Sequence, residues 1–525
     1  MAEQVVRRIA TEVTEHAPEG WTEAVVNCTA GVGGISMSGR YAVDGAPGQL
    51  IRHFGFHPEL RSLAEAIRDA RGWECVSMEV RWRPTGGFDL VAFSDVVTSA
   101  HGVGAGFQVV LDHGYRLPQP GFAQEPGTAG PAGDPDLAVA RFHAYLERRA
   151  SILGQPEELP PPVPAAALDE AERRLGRPLP ADLRALYLIA DGDGVGHENL
   201  WLFGDNTWLS LENLVHVQAE WCEPDWFGWD LEWDAVVFDA YPADTVRRCG
   251  ANPGWLPFGS GQDANFLAVD TAPARNGRPG QVIRMGRDHD HAPQYVADSV
   301  TSLLGHYLDL LEQGAYEVRD GSIRFLDPAR VIEHNEVVND MSAEIPPTLQ
   351  DIHIKDTSGA LDLTPLTAAA NLRRLHHYVG ATTDLGPIRA LPIEALRVTL
   401  DTRDGDDLTP LAGHRHLVAL NLGTTAATDL APLRTVPNLR CLDLSRADVR
   451  DLAVLADLPD LRYLALTAQQ WSVLLDEGDT PPHLAAARLA GDDVGFEDAL
   501  AWSARLGRSS GDAFRVSGTP GPEDG

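Results

Sequence analysis

The sequence predicts a multi-domain α+β protein that ends in a stack of short repeats, and three observations carry this. The chain has 525 residues, too many for one hydrophobic core. Pro- and Gly-rich joints at 118–133 and 156–164 separate stretches of mixed helix and strand pattern. Leu363, Leu385, Leu408, Leu430 and Leu452 recur at intervals of 22, 23, 22 and 22 residues.

Residues 1–117 read as a small α+β unit. Val6, Ile9, Ala10 and Val13 form a helical stripe. A second helix opens on Pro58, carries Leu60, Leu63, Ala64 and Ile67, and stops at Gly72, where a missing Cβ suits a left-handed cap. A hairpin follows. Val76, Met78, Val80 and Trp82 alternate with Cys75, Ser77, Glu79 and Arg81, and Phe88–Phe93 return after a Pro84–Gly87 turn. Residues 118–159 are expected to be a linker with one helix, capped by Asp134 with Pro135 at its first position. Proteases are expected to cut first between 118 and 133, where little apolar surface can be buried.

Residues 160–318 make the next domain. Leu168, Ala171 and Leu175 stripe one helix; Leu183, Leu186 and Tyr187 stripe the next. Strands follow at 265–270 and 281–285, and a closing helix, capped by Asp298, buries Val300, Leu303, Leu304, Tyr307 and Leu311. From 341 to 473 roughly six units repeat, each with an L-x-x-L-x-L core. That period defines a leucine-rich-repeat solenoid, which buries its leucines between neighbours and leaves a concave strand face free. Residues 496–525, rich in Gly, Ser and acids, are expected to be a disordered tail.

The net charge of −34 argues against nucleic acid, whose binding rests on neutralised phosphates. Such a charge either draws a basic partner or simply keeps a large protein in solution. Lys355 is the one lysine, which removes phosphate-loop and Schiff-base chemistry. Cys28, Cys75, Cys222, Cys249 and Cys441 are scattered, as reduced, buried thiols would be. No run is long enough to span a bilayer and the N-terminal order is not that of a secretory signal, so a cytoplasmic protein with no membrane association is expected.

Three resemblances add to this. Leu168–Leu183, Trp255-Leu256-Pro257-Phe258-Gly259-Ser260, and Phe266–Asp270 with Gly280–Ile283 together resemble the SUKH superfamily (Smi/Knr-like). The resemblance implies an α+β binding domain, often found in immunity proteins that neutralise toxins, with no catalytic residues. It departs at Asp191-Gly192-Asp193-Gly194, where Asn-Gly is usual. The repeats, as in Leu430-Ala431-Pro432-Leu433 through Asp451, resemble the internalin-like class, but Thr425, Ala447 and Gln469 stand where its asparagine ladder would be. Gly72-Trp73 and Gly86-Gly87-Phe88-Asp89 resemble YezG-like immunity proteins.

Residue chemistry points away from an enzyme. Asp191-Gly-Asp193 begins like a calcium loop but lacks oxygen ligands at Val195 and Leu202, so a tight turn with capping carboxylates is expected. Asp288-His289-Asp290-His291 has no third ligand at a supporting spacing and reads as an exposed loop. His376-His377 and His414/His416 are expected to face solvent. Gly102–Phe107 misses the last glycine of a dinucleotide fingerprint, and Gly-x-Ser-x-Gly is absent. No catalytic, metal or cofactor-binding residue is assigned.

A composition shift supplies the candidate partner site. From Asp191 to Val246 there are thirteen Asp or Glu residues, no Lys or Arg, and six of the twelve tryptophans. Trp221, Glu223, Asp225, Trp226, Trp229, Asp230, Trp233 and Asp234 would steer a basic partner by charge and anchor it with aromatic rings. The same tryptophans would equally serve as core beneath a solvated acidic loop. The function expected is recognition and occlusion of a protein, foremost a basic bacterial toxin; the alternative is a regulatory or scaffold protein recruiting a client through the SUKH domain and the repeats.

Overall fold

The computed structural model describes residues 2–31, 34–43, 46–51, 55–73, 76–94, 97–100, 106–112, 114–195, 198–222, 236–319, 321–326, 335–338, 345–355, 360–401, 408–491, 494–508 and 513–518. Helix and sheet are mixed throughout, with several separate sheets. Among these residues no helix is long and apolar enough to cross a membrane.

In the N-terminal unit, helices Ala2–Glu15 and His57–Arg71 lie on a sheet with strand order 514–518, 88–94, 76–82, 21–31, 34–43, 46–50. Their stripes bury Val6, Ile9, Val13, Leu60, Leu63 and Ile67 against Val76, Met78, Val80 and Trp82. Gly72 caps the second helix at φ 67°.

The middle unit sets helices Pro135–Leu153, Ala165–Leu175, Ala181–Tyr187, Leu211–Trp221 and Val300–Gln313 against an antiparallel sheet, order 207–208, 255–260, 265–270, 281–286, 294–297. Phe142, Tyr145, Tyr187, Trp208 and Phe258 fill its core. Three expectations are corrected here. Pro135–Leu153 is no linker helix: Phe142 and Tyr145 are fully buried, and Arg149 forms a buried bidentate pair with Glu157 at 2.7 and 2.6 Å. Residues 118–126 are docked, because backbone groups find partners that composition does not announce. Gly121 N donates to Arg248 O at 2.8 Å, and Arg247 donates to the carbonyls of Gly121 and Gln124. Early cleavage is therefore not expected there. Finally, Ser299, not Asp298, caps the last helix by accepting from Ser302 N, while Asp298 accepts from Tyr295.

Eight parallel strands follow: Asn335–Val338, Asp351–Ile354, Arg374–His377, Ala395–Leu400, Ala419–Thr424, Cys441–Arg446, Tyr463–Thr467 and Ala486–Ala490. Leu396, Leu420, Leu442 and Leu464 lie opposite one another in register, all buried. Behind them, short 3-10 turns at 364–368, 386–388, 431–435 and 453–457 each follow an Asp-Leu pair. The carboxylates of Asp362, Asp384, Asp429 and Asp451 accept from the amide two residues on, which ties down each turn. The missing asparagine ladder has a partial substitute: Gln470, one place past the expected site, donates to Leu444 O and Ala447 O.

The chain closes on itself. Gly106–Val110 leaves the N-terminal unit and pairs antiparallel with the last repeat strand, while Phe514–Gly518 returns to pair with Phe88–Ser94. The described part of the 496–525 stretch is thus not a disordered tail: Phe496–Arg505 is a helix that buries Phe496, Leu500 and Trp502. Its apolar spacing outweighs the Gly- and Ser-rich composition around it. Residues 509–512 and 519–525 lie outside the described residues.

Candidate functional site

In the parallel strands from 351–354 to 486–490, inward apolar residues, mostly leucines, alternate with residues on the opposite face. Strand register stacks that face into columns. One runs Asp351, Arg374, Ala395, Ala419, Cys441, Tyr463, Ala486; the next runs His353, His376, Arg397, Asn421, Asp443, Ala465, Arg488 and on to Gln108.

The middle unit covers the first column. Leu117, Val236 and Phe238 pack on Ala395, Ala419, Cys441, Tyr463 and Ala486, where small side chains leave room for them. A buried polar seam surrounds this contact. Arg248 Nη2 donates to both carboxylate oxygens of Glu394 at 2.8 and 2.6 Å, and Arg373 donates to Glu394 at 2.9 Å. Arg248 Nε also donates to Val237 O, and Gln350 exchanges two hydrogen bonds with the Asp239 backbone. Arg374 sits over the Phe238 ring at 4.9 Å.

Beside the first column's Asp351 and Arg374, the second column is mostly polar yet buried. Arg374 grips Asp351 at 3.0 and 2.7 Å, and His353 bridges Asp351 (3.0 Å) to the Tyr378 hydroxyl (3.0 Å). Burial raises the Asp351 carboxyl, but hydrogen bonds from His353 and Arg374 outweigh it and hold the group below its ordinary range. Asn421 donates to Asp443, which also accepts from the Ser445 amide and hydroxyl. His376 and His377 are buried, not solvent-facing; His377 lies on the inward face with Leu375, and His376 lies on the opposite face between Arg374 and Tyr378.

Burial, with the Arg374 guanidinium beside it, pushes His376 down to about 3. An unfolded histidine titrates near 6.5, so the native state binds fewer protons below that pH. The stability this group contributes is complete above about pH 6.5 and lost as pH falls towards 3. Burial raises the carboxyls of Asp193 to about 6 and Asp270 to about 7, which act in the opposite sense: their contribution is lost as pH rises from about 4 to 7. Comparison with His376→Asn isolates the histidine. Between pH 7 and pH 4.5 the stability gap between parent and variant is expected to shift by about 2–3 kcal/mol in the variant's favour. Denaturant unfolding at both pH values checks this; a constant gap would mean His376 is not held neutral.

Of the partner residues expected from sequence, only Trp221 is described. It is partly buried, its ring 5.6 Å from Phe266. Glu223, Asp225, Trp226, Trp229, Asp230, Trp233 and Asp234 lie outside the described residues. Nearby Trp208 is core. Asp191 accepts from Leu211 N at 2.7 Å, and so helps cap the helix at 211–221; Asp193 is buried and accepts from Leu202 N. No group of three metal-ligating side chains occurs among the described residues. The polar column was missed in the sequence, although its members recur with the leucine period, because leucine spacing says nothing about which outward residues a second unit will cover.

Comparison with known proteins locates one family. The SMI1/KNR4 family (SUKH-1) matches residues 162–306. A KNR4/SMI1 homologue from Debaryomyces hansenii is 26% identical over 231 residues, 36% of this chain and 38% of that protein. The cell wall biosynthesis/cell cycle regulator smi1 of Schizosaccharomyces pombe is 29% identical over 163 residues, 30% of this chain and 31% of that protein. The match thus spans less than two fifths of the length of these relatives. An internalin from Listeria monocytogenes aligns over 23% of this chain and 35% of its own, at 28% identity and a TM-score of 0.20. The YezG-like reading of residues 1–117 rests on the sequence resemblance alone. Residues 162–306, with their helices on a five-stranded antiparallel sheet, are a SMI1/KNR4 family (SUKH-1) domain within this longer chain.

Proposed function

We propose that this chain is a non-enzymatic regulatory or scaffold protein of the cytoplasm. It recruits a protein client through its SUKH domain and through a leucine-rich-repeat solenoid built on the parallel strands. The observation that carries this reading is the seam around Arg248 and Glu394, which joins the SUKH domain to one column of the strand face and leaves the neighbouring polar columns beside it. Two matched relatives are named as a cell wall and cell cycle regulator and a glucan synthesis regulatory protein, which supports a regulatory role. The buried cysteines Cys28, Cys222, Cys249 and Cys441, none of them in a disulfide, suit a reducing compartment.

The test is affinity capture from the native host with the parent and with a variant carrying Thr399→Arg and Thr467→Arg, two partly exposed strand positions. A client held by the parent and lost from the folded variant supports recruitment through this face. Equal capture by both removes the face from the function.

Occlusion of a basic toxin is a second reading, favoured by the charge of −34 and by the acid-only stretch from Asp191 to Val246. Under it, replacing Asp225, Asp230 and Asp234 by Asn should slow association with the partner, and salt should slow the parent alike. A client that is neither basic nor toxic excludes it.

A further inference from the structure

We propose that Arg397 is the centre of a carboxylate-binding site on the strand face, one that takes an Asp or Glu side chain of the client; this rests on the recruitment reading above. Arg397 lies in the strand Ala395–Leu400 with 8% of its surface exposed. Its Nε is buried without an acceptor among the described residues. Three other buried arginines each have a carboxylate partner: Arg149 has Glu157, Arg248 has Glu394, and Arg374 has Asp351. A buried guanidinium N–H with no acceptor is costly, and an incoming anion removes that cost.

The surroundings supply hydrogen-bond donors. The Tyr378 ring lies 4.9 Å from the Arg397 guanidinium and fixes its position. Thr399, two residues along the same strand, accepts from Arg446 Nη1 at 3.2 Å, which leaves its own proton to donate. Arg446 Nη2 donates to Asn421 Oδ1 at 2.7 Å. Gly423 makes this reach possible, since a Cβ there would come within 2.8 Å of Thr399 Oγ1 and 3.2 Å of Arg446 Nη1. The cross-strand neighbour His376 carries no charge near neutral pH, and Asp443 is already held by Asn421 and Ser445.

A carboxylate matches this arrangement: planar, singly charged, with two oxygens for the guanidinium fork and the threonine hydroxyl. Tyr378, Thr399 and Arg446 are each only partly buried, so the site opens along the strand face, where a side chain presented by another protein can enter.

The experiment titrates the full chain with a labelled, acetylated and amidated tetra-glutamate peptide at low salt, read by fluorescence anisotropy. The parent should bind saturably, and the tetra-glutamine peptide should not compete. Arg397→Gln should weaken binding at least tenfold. Arg397→Lys, which keeps the charge but loses the fork, should weaken it several-fold, and Thr399→Val several-fold with an unchanged melting temperature. If Arg397→Gln does not fold, the Lys and Val variants decide. Equal peptide affinity in parent and variants overturns the site, as does competition by inorganic phosphate matching that by peptide. A client captured by a parent that ignores the peptide overturns the site and leaves recruitment standing; peptide binding at Arg397 without any client supports the site and overturns recruitment.

Discussion

Replacing Glu394 by alanine is expected to cost about 3–5 kcal/mol of stability, the usual penalty for leaving a buried charge uncompensated. Glu394 receives three guanidinium hydrogen bonds, two from Arg248 and one from Arg373. Arg248 and Glu394 have side-chain exposures of 8% and 7%, so water cannot replace the lost partner. The damage should fall on the junction between the SUKH domain and the repeats. Denaturant unfolding measures the loss, and limited proteolysis should show new cleavage beside 237–248 and 350. Replacing both members together, Arg248→Met with Glu394→Leu, should cost less than Glu394→Ala alone, because the buried Arg248 charge is no longer stranded and only the more exposed Arg373 loses this partner. A single variant within about 0.5 kcal/mol of the parent would show that the seam is not closed in solution.

Leu442→Ala should cost about 2–5 kcal/mol. Leu442 is fully buried and stands between Leu420 and Leu464 in register, so truncation opens a cavity shared by three strands. In a stacked array each unit contacts only its neighbours, and a weakened interface lets the array open from that point. The exposed pair Arg434–Asp457 serves as the control, since Arg434→Ala should cost under about 1 kcal/mol. Urea midpoints for both variants check this. A near-neutral Leu442→Ala would contradict the leucine register.

Much of the local architecture was legible. The helix that stops at Gly72, the two stripes at 168–187 and the leucine period are fixed by burial spacing and caps, which are local properties of sequence. The closure of the chain was not. Gly106–Val110 is buried at every position, a pattern that fits any covered strand and does not name its partner. Phe514–Gly518 finds the free edge of Phe88–Ser94, and an edge exists only once the sheet is built. The docking of 118–126 escaped for a related reason: its hold on Arg247 and Arg248 uses backbone carbonyls and amides, which every sequence possesses. The strand-face site was half legible. Outward polar residues were expected on the repeats, but which of them are buried, as His376 and Arg397 are, does not follow from leucine spacing.

Oxidative footprinting of the full chain with and without its client tests the central claim most directly, because it reads side-chain exposure along the strand face. Protection of Tyr378 and of the partly exposed residues in 395–400 and 441–446 is the expected result. Protection confined to the N-terminal unit, with those strands unchanged, would contradict recruitment through the strand face.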